Sequence, residues 1–261
     1  MTETKKKTKQ YDTELPKEAK VEKRTKSSST FGIDIEEMTQ AGVHFGHKAS
    51  KVHPKIKPFL LGARNAVHVL DLEKTAEKLK IALNFIQQLV SEDKVLLLVG
   101  TKVQMKEPVK STAKECGLSY VSERWLGGTF TNFETIKKRI DYFKDLENKK
   151  TSGELEKYTK KEKAMVDKEL KDLEMKVGGI KDLAKIPDAI LVLDMQKDAL
   201  AIKEAKSKGV AVIAIADTNS DPSLADYPIP ANDDAISSVK YILGKVKEVI
   251  LKQKSKAKTQ K

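Results

Sequence analysis

The sequence predicts an α/β protein: a parallel sheet covered by helices on both faces, with an antiparallel helical hairpin inserted into it. Three observations carry this. Solid apolar runs recur at Lys94–Gly100 (KVLLLVG), Ala189–Asp194 (AILVLD) and Gly209–Asp217 (GVAVIAIAD), the pattern of strands buried on both faces. Helical periodicities separate these runs, and strands alternating with helices build a parallel sheet. From Asn132 to about Lys185 strands disappear and charge of both signs becomes dense, so this stretch reads as an insertion within one domain.

Residues 1–30 lack periodicity and hold few large apolar groups; such a segment cannot offset its ordering entropy by burial and is expected to be disordered in isolation. A short helix is expected from Asp34, with Glu36 and Glu37 in its acidic first turn, to a stop at Gly42. A His/Lys/Pro loop follows, then a strand at Ala66–Leu70. Asp71 can cap the next helix, in which Leu72, Ala76, Leu79, Leu83, Ile86 and Val90 form one apolar stripe. After the Lys94–Gly100 strand come a helix over Val103–Cys116, a short strand at Ser119–Ser122 and a loop, ERWLGGTFTNF, over Glu123–Phe133.

In the insertion, Ile136, Ile140, Phe143 and Leu146 line one helix, Thr151-Ser152-Gly153 breaks it, and Val166, Leu170, Leu173, Val177 and Ile180 line a second. Two facing seams of this kind make a coiled-coil hairpin. Because its other faces are charged, the hairpin is expected to stand away from the main body. The alternation then resumes with strands at 189–194, 209–217 and 227–230, a helix over Gln196–Ser207 and a last helix over Asn232–Lys252. The chain thus divides into a basic extension (1–30), one α/β domain (31–133 and 186–251), the hairpin (134–185) and a basic tail (252–261).

With 50 Lys and Arg against 38 Asp and Glu, the net charge of +12 argues for an acidic partner, nucleic acid or an anionic membrane face. No apolar run approaches the roughly 20 residues that span a bilayer, and no apolar leader follows the basic N-terminus, so a cytosolic protein without membrane partners is expected. The single cysteine, Cys116, excludes an internal disulfide and a cysteine-based zinc site, and reads as a small core residue.

The stretch Met38–Pro58, MTQAGVHFGHKASKVHPKIKP, holds three of the four histidines and admits three readings. His44-Phe-Gly-His47 has the form of a His-x-Gly-His nucleotide motif, which would make the chain a nucleotide-binding α/β enzyme, but no phosphate-binding loop accompanies it. A metal site from His44, His47 and His53 with Asp217 suits zinc chemistry. Two histidines three apart nevertheless more often bond loop backbone, so His44 and His47 are assigned to shaping the loop, with no metal and no cofactor expected. The third reading is a Pro-stiffened basic loop gripping nucleic acid. It assigns phosphate contacts to Lys48, Lys51, Lys55, Lys57 and Arg64, to Lys102 and Lys106 at the opening of a helix, and to Arg124. Trp125 beside Arg124 is either a stacking plane for RNA or a core residue of its loop. Asp194 and Asp198 read as helix caps and turn formers.

Several long motifs in order carry a family resemblance: MTQAGVHFGHK, ERWLGGTFTNF, KVGGIKDL, PDAILVLDMQKDALAIKEAKSKGVAVIAIADTNSDP and IPANDDAISSVKYIL. Together, over about Ile33 to Ile250, they resemble the bacterial small-subunit ribosomal protein S-two family. The resemblance implies a Rossmann-like or flavodoxin-like parallel sheet flanked by helices, with an inserted antiparallel coiled-coil helical hairpin of the bacterial type. It also implies a non-catalytic structural role that contacts small-subunit ribosomal RNA and neighbouring small-subunit proteins, the mRNA-binding protein S-one among them. No homo-oligomer is expected.

Overall fold

The computed structural model describes residues 31–48, 50–153 and 157–259; the expected extension at 1–30 lies outside them. The described chain opens with α1 (Ile35–Gln40), whose cap Asp34 accepts the Glu36 amide at 2.9 Å. It continues through β1 (Phe45–Lys48), a 3-10 turn at Pro54–Phe59, β2 (Leu60–Arg64) and β3 (Val67–Leu70).

This opening region corrects two expectations. The His/Lys/Pro stretch is not all loop, because Phe45–Lys48 is a strand. The predicted strand near 66–70 does not join the parallel sheet; it is the centre of a separate antiparallel sheet ordered β1-β3-β2. The reason is local. Asn65 and Ala66 both take positive φ, 52° and 60°, and Arg64 pairs with Val67 across them. Two left-handed residues make the tight turn whose twist suits a hairpin.

The parallel sheet follows. After α2 (Leu72–Ser91) come β4 (Leu96–Val99), α3 (Lys106–Cys116), β5 (Ser119–Val121), α4 (Phe133–Thr151), α5 (Lys160–Val177), β6 (Ala189–Val192), α6 (Ala199–Ser207), β7 (Ala211–Ala216), β8 (Tyr227–Pro230) and α7 (Ile236–Thr259). Five strands pair in parallel in the order β5-β4-β6-β7-β8. Side chains alternate across a strand, so each strand feeds two cores. Leu96, Leu98, Ile213 and Ile215 pack with α2, α3 and α7 on one face. Leu97, Val99, Val212 and Ala214 pack with α6 and the inserted helices on the other. The chain winds outward from β4 to β5, then returns to β6 on β4's other side. The crevice beyond the carboxyl ends of β4 and β6 is therefore the topological switch point, where open α/β sheets hold their ligands.

α4 and α5 pack through Ile136, Ile140, Phe143 and Leu146 against Leu170, Leu173 and Val177. Thr159 and Glu162 form a capping box at the start of α5, satisfying two orphan amides reciprocally. The seam is continuous with the core holding Leu97, Val99 and Val121, so the foot of the helix pair is part of the body instead of standing off it. Two helix boundaries also differ from expectation. α6 starts at Ala199 because Asp194 Oδ1 takes the amides of Gln196 and Lys197, both at 2.8 Å, in a turn. α7 runs to Thr259, through most of the expected tail, and Lys254 Nζ docks on the Cys116 carbonyl at 2.6 Å. KQKSKAKT contains neither Gly nor Pro to end a helix.

Candidate nucleic-acid interface

Lys48 and Arg64 both register with Val67, one from each neighbouring strand. Residues directly opposite in an antiparallel sheet share a face, so both cations stand on one face, two strand spacings of about 4.8 Å apart. Phe45 and Gly62 register with Val69 on that same face. Phe45 is 51% exposed, its ring 4.0 Å from the His44 ring. A shallow groove here is lined by His44, Phe45, Leu61, Arg64, Val67 and Val69. Lys48, Lys51, Lys57, Arg64 and Arg124 are exposed and have no ion-pair partner among the described residues.

The other three predicted cations are engaged within the chain. Lys55 bonds Asp221 at 2.8 Å and the Ser223 hydroxyl at 2.7 Å. Burial pushes the Asp221 carboxyl up, yet the bonds from Lys55, the Ser223 hydroxyl and the Ser223 amide outweigh it and hold the group at about 2. Lys106 pairs with Glu123, which it holds below the usual carboxylate range. Lys102 sits at the switch point among Asp234 at 2.6 Å, Asp233 at 3.0 Å and Asp194 at 3.4 Å. Burial opposes its charge, but the two hydrogen-bonded aspartates more than offset that and raise its pKa.

The two motif histidines separate. His44 packs on Phe45 with its Nδ1 buried and unpartnered, and burial lowers its pKa. His47 turns into the cleft, with Nδ1 3.2 Å from Asp217 and Nε2 3.3 Å from Asp234 and 3.2 Å from the Asn219 amide. The Asp217 carboxylate raises the His47 pKa. The expectation that both rings bond loop backbone is thus corrected: it is the main chain of β1 that is held, by His47 N–H donating to Thr218 Oγ1 at 2.8 Å. That contact requires Gly46, where a Cβ would lie 2.3 Å from Thr218 Cγ2. His53 is outside the aspartate cluster; its Nδ1 accepts the Lys55 amide at 3.3 Å.

Trp125 is core. It is 6% exposed and stands edge-on to Phe130 at 4.9 Å, so it offers no stacking plane, whereas Arg124 beside it is exposed. Asp198 bonds Thr101 through both its hydroxyl, at 2.8 Å, and its amide, at 3.2 Å, and burial raises its pKa. Sequence reasoning missed three residues. Phe45 is the exposed aromatic, hidden by a strand too short to show alternation. Glu204 is buried on α6 and accepts the amides of Gly128, Phe130 and Thr131, fixing the Gly-Gly loop; a charge in a short amphipathic helix gives no such signal. Asp233, just ahead of α7, is buried beside Asp217 and Asp194, a placement that no local pattern gives. Burial and those two neighbours push its carboxyl up to about 7, against the pull of Lys102.

With this geometry in hand, the likeness to known proteins is extensive. The family described as Ribosomal protein S2 matches residues 38–253. A small ribosomal subunit protein uS2 from Coprothermobacter proteolyticus is 43% identical over 219 residues, covering 84% of this chain and 82% of that protein. Its namesake from Dictyoglomus thermophilum is 44% identical over 222 residues, covering 85% and 90%. That from Geotalea uraniireducens is 42% identical over 219 residues, covering 84% and 86%. The match spans the antiparallel sheet, the parallel sheet and the inserted helices alike, and the chain belongs to the ribosomal protein S2 family.

Proposed function

We propose that this chain is a non-catalytic structural constituent of the small ribosomal subunit in the cytoplasm, binding small-subunit ribosomal RNA and abutting neighbouring small-subunit proteins. The observation that carries the reading is the family match over residues 38–253, in a family whose relatives named above are small-subunit proteins over more than four-fifths of their length. RNA contact falls to the free cations Lys48, Lys51, Lys57, Arg64 and Arg124. Each neutralised phosphate releases a counterion, and that release supplies most of the affinity. Phe45 shares that sheet face, in the row next to the one that holds Lys48 and Arg64, and offers a stacking surface for an unpaired base. Lys55, Lys102 and Lys106 act indirectly, by holding the loops that present the others. The α4–α5 pair is a coiled-coil arm whose exposed, mixed-charge faces meet a second partner.

The nucleotide-enzyme alternative has no support. His44 and His47 diverge, and no phosphate-binding loop accompanies them. No helix among the described residues is long and apolar enough to cross a membrane. The test is sedimentation: the native protein travels with small subunits at low salt and leaves them in high salt. Sedimentation apart from small subunits at low salt overturns the proposal.

A further inference from the structure

We infer that the loops leaving β4, β5 and β6 build a second RNA-contact surface, for unpaired nucleotides of ribosomal RNA. In it Lys197, Lys203 and Arg124 take phosphates, and Val103 and Leu200 pack on ribose and base. The surface presupposes the RNA-binding reading above, and it adds Lys197 and Lys203 to the free cations already named.

The three loops form one unit. β5, β4 and β6 are neighbours in a parallel sheet, so their carboxyl ends open on one side of the molecule. Two buried acids bolt the loops together. Asp198, 2% exposed, ties the loop after β6 to the loop after β4 through the Thr101 hydroxyl and amide. Glu204, 6% exposed, reaches from α6 to the loop after β5 and accepts the amides of Gly128, Phe130 and Thr131. Lys106 pairs with Glu123 and brings the first turn of α3 beside Arg124. A buried carboxylate persists where hydrogen bonds satisfy it, and burial also keeps these two charges off the surface. Loops fixed on a rigid scaffold are where binding residues gather.

What these loops expose is basic and aliphatic. Val103, next to Lys102, is 79% exposed, and Leu200 at the start of α6 is 49% exposed. A Cβ on Gly127 would lie 3.7 Å from Leu200 Cδ2, so Leu200 lies against the Gly-Gly loop. Lys203 is three residues past Leu200 and shares its helix face. Lys197 is three residues before it, in the turn that leads into α6. Lys197, Lys203 and Arg124 are exposed, and none has an ion-pair partner among the described residues. Such cations neutralise phosphates, and base faces are free to meet Val103 and Leu200 only where the bases are unstacked. The small sheet lies across the cleft. Lys102 and His47 reach different oxygens of Asp234, with Val103 on one bank and β1 on the other. RNA is thus held on both banks.

The experiment measures binding of the full chain to protein-free small-subunit ribosomal RNA across a salt series. Lys197→Ala with Lys203→Ala is expected to flatten the log–log slope by about 1.4, two contacts at the single-strand coefficient of about 0.7. Tm is spared, since both side chains are exposed. Combined with Lys48→Ala and Lys51→Ala, the losses sum, as they do for sites without shared partners. Glu204→Gln removes the charge that gathers three amides; it weakens binding as much as Arg124→Ala does, and the two together weaken it no further. Lys208→Ala, past the other end of α6, leaves the slope unchanged. The lysine pair keeps the test decisive if Glu204→Gln misfolds. Failure of the native chain to bind the RNA overturns both readings. Native binding with an unaltered slope in the Lys197/Lys203 variant overturns this surface alone, and an unaltered slope with poorer incorporation into subunits hands it to a protein neighbour instead. Losses that do not sum with those of Lys48 and Lys51 overturn its separateness from the small sheet.

Discussion

Gly46 sets how closely β1 can approach the loop after β7. A methyl group there would stand 2.3 Å from Thr218 Cγ2 and 2.9 Å from its hydroxyl, and Thr218 is fully buried and cannot turn aside. Gly46→Ala is therefore expected to cost about 1–3 kcal/mol, the usual range for overpacking, read by urea denaturation. Pairing it with Thr218→Ala should recover part of that loss, since the clash belongs to the pair; strictly additive losses would show that the strain lies elsewhere. Asp221 makes a second residue-scale prediction. Its folded pKa of about 2 lies below the ordinary 3.8. Its contribution to stability is thus complete above about pH 4 and lost as pH falls through 2. The difference in Tm between the native protein and Asp221→Asn should be present near pH 6 and close between about pH 4 and 2. A gap that persists at pH 2 would mean that Asp221 acts through packing instead of charge.

At the scale of elements, the foot of the α4–α5 pair is fixed by another close approach. A Cβ on Gly179, just past α5, would lie 2.2 Å from the Tyr120 carbonyl of β5, and a backbone oxygen in a paired strand cannot move away. Gly179→Ala should pry the helix pair from the sheet edge, costing about 1–3 kcal/mol and altering the near-ultraviolet signal of Tyr120; an unchanged denaturation midpoint would refute this. The elements that were legible in the sequence are those whose signal is internal. β4, β6 and β7 are continuous apolar runs, and the helix pair shows its seam at steps of three and four. The small sheet was illegible because its strands are short and half-exposed, and because its left-handed turn is Asn65-Ala66 where the familiar signal is Asn-Gly. The cleft was legible in part. The sequence groups His44, His47 and His53 with Asp217 only to favour loop-shaping histidines, and of these only His47 meets Asp217. The engagement of Lys102 and the burial of Asp233 depend on strand order, which brings residues more than 130 positions apart to one end of the sheet. No local pattern encodes that.

For the whole molecule, a net charge of +12 does not say where the charge is usable. Lys102, Lys106 and Lys55 are each committed to carboxylates, whereas the other five of the eight predicted cations face solvent without such partners among the described residues. Fewer contacts imply a defined salt dependence. With five phosphates engaged, the log–log slope of RNA affinity against salt should be about −3 to −5, from the single-strand and duplex coefficients. Lys48→Ala with Lys51→Ala should flatten that slope by about 1–2 while sparing Tm, because both side chains are exposed and neither has an ion-pair partner among the described residues. Lys102→Ala should do the reverse, leaving the slope nearly unchanged and lowering Tm by uncovering buried carboxylates. Salt titrations of small-subunit RNA binding, run beside thermal melts of the same variants, separate the two classes of lysine. If Lys102→Ala flattens the slope as much as the double variant does, the cleft itself meets phosphate, and the division between cations that bind and cations that brace is wrong.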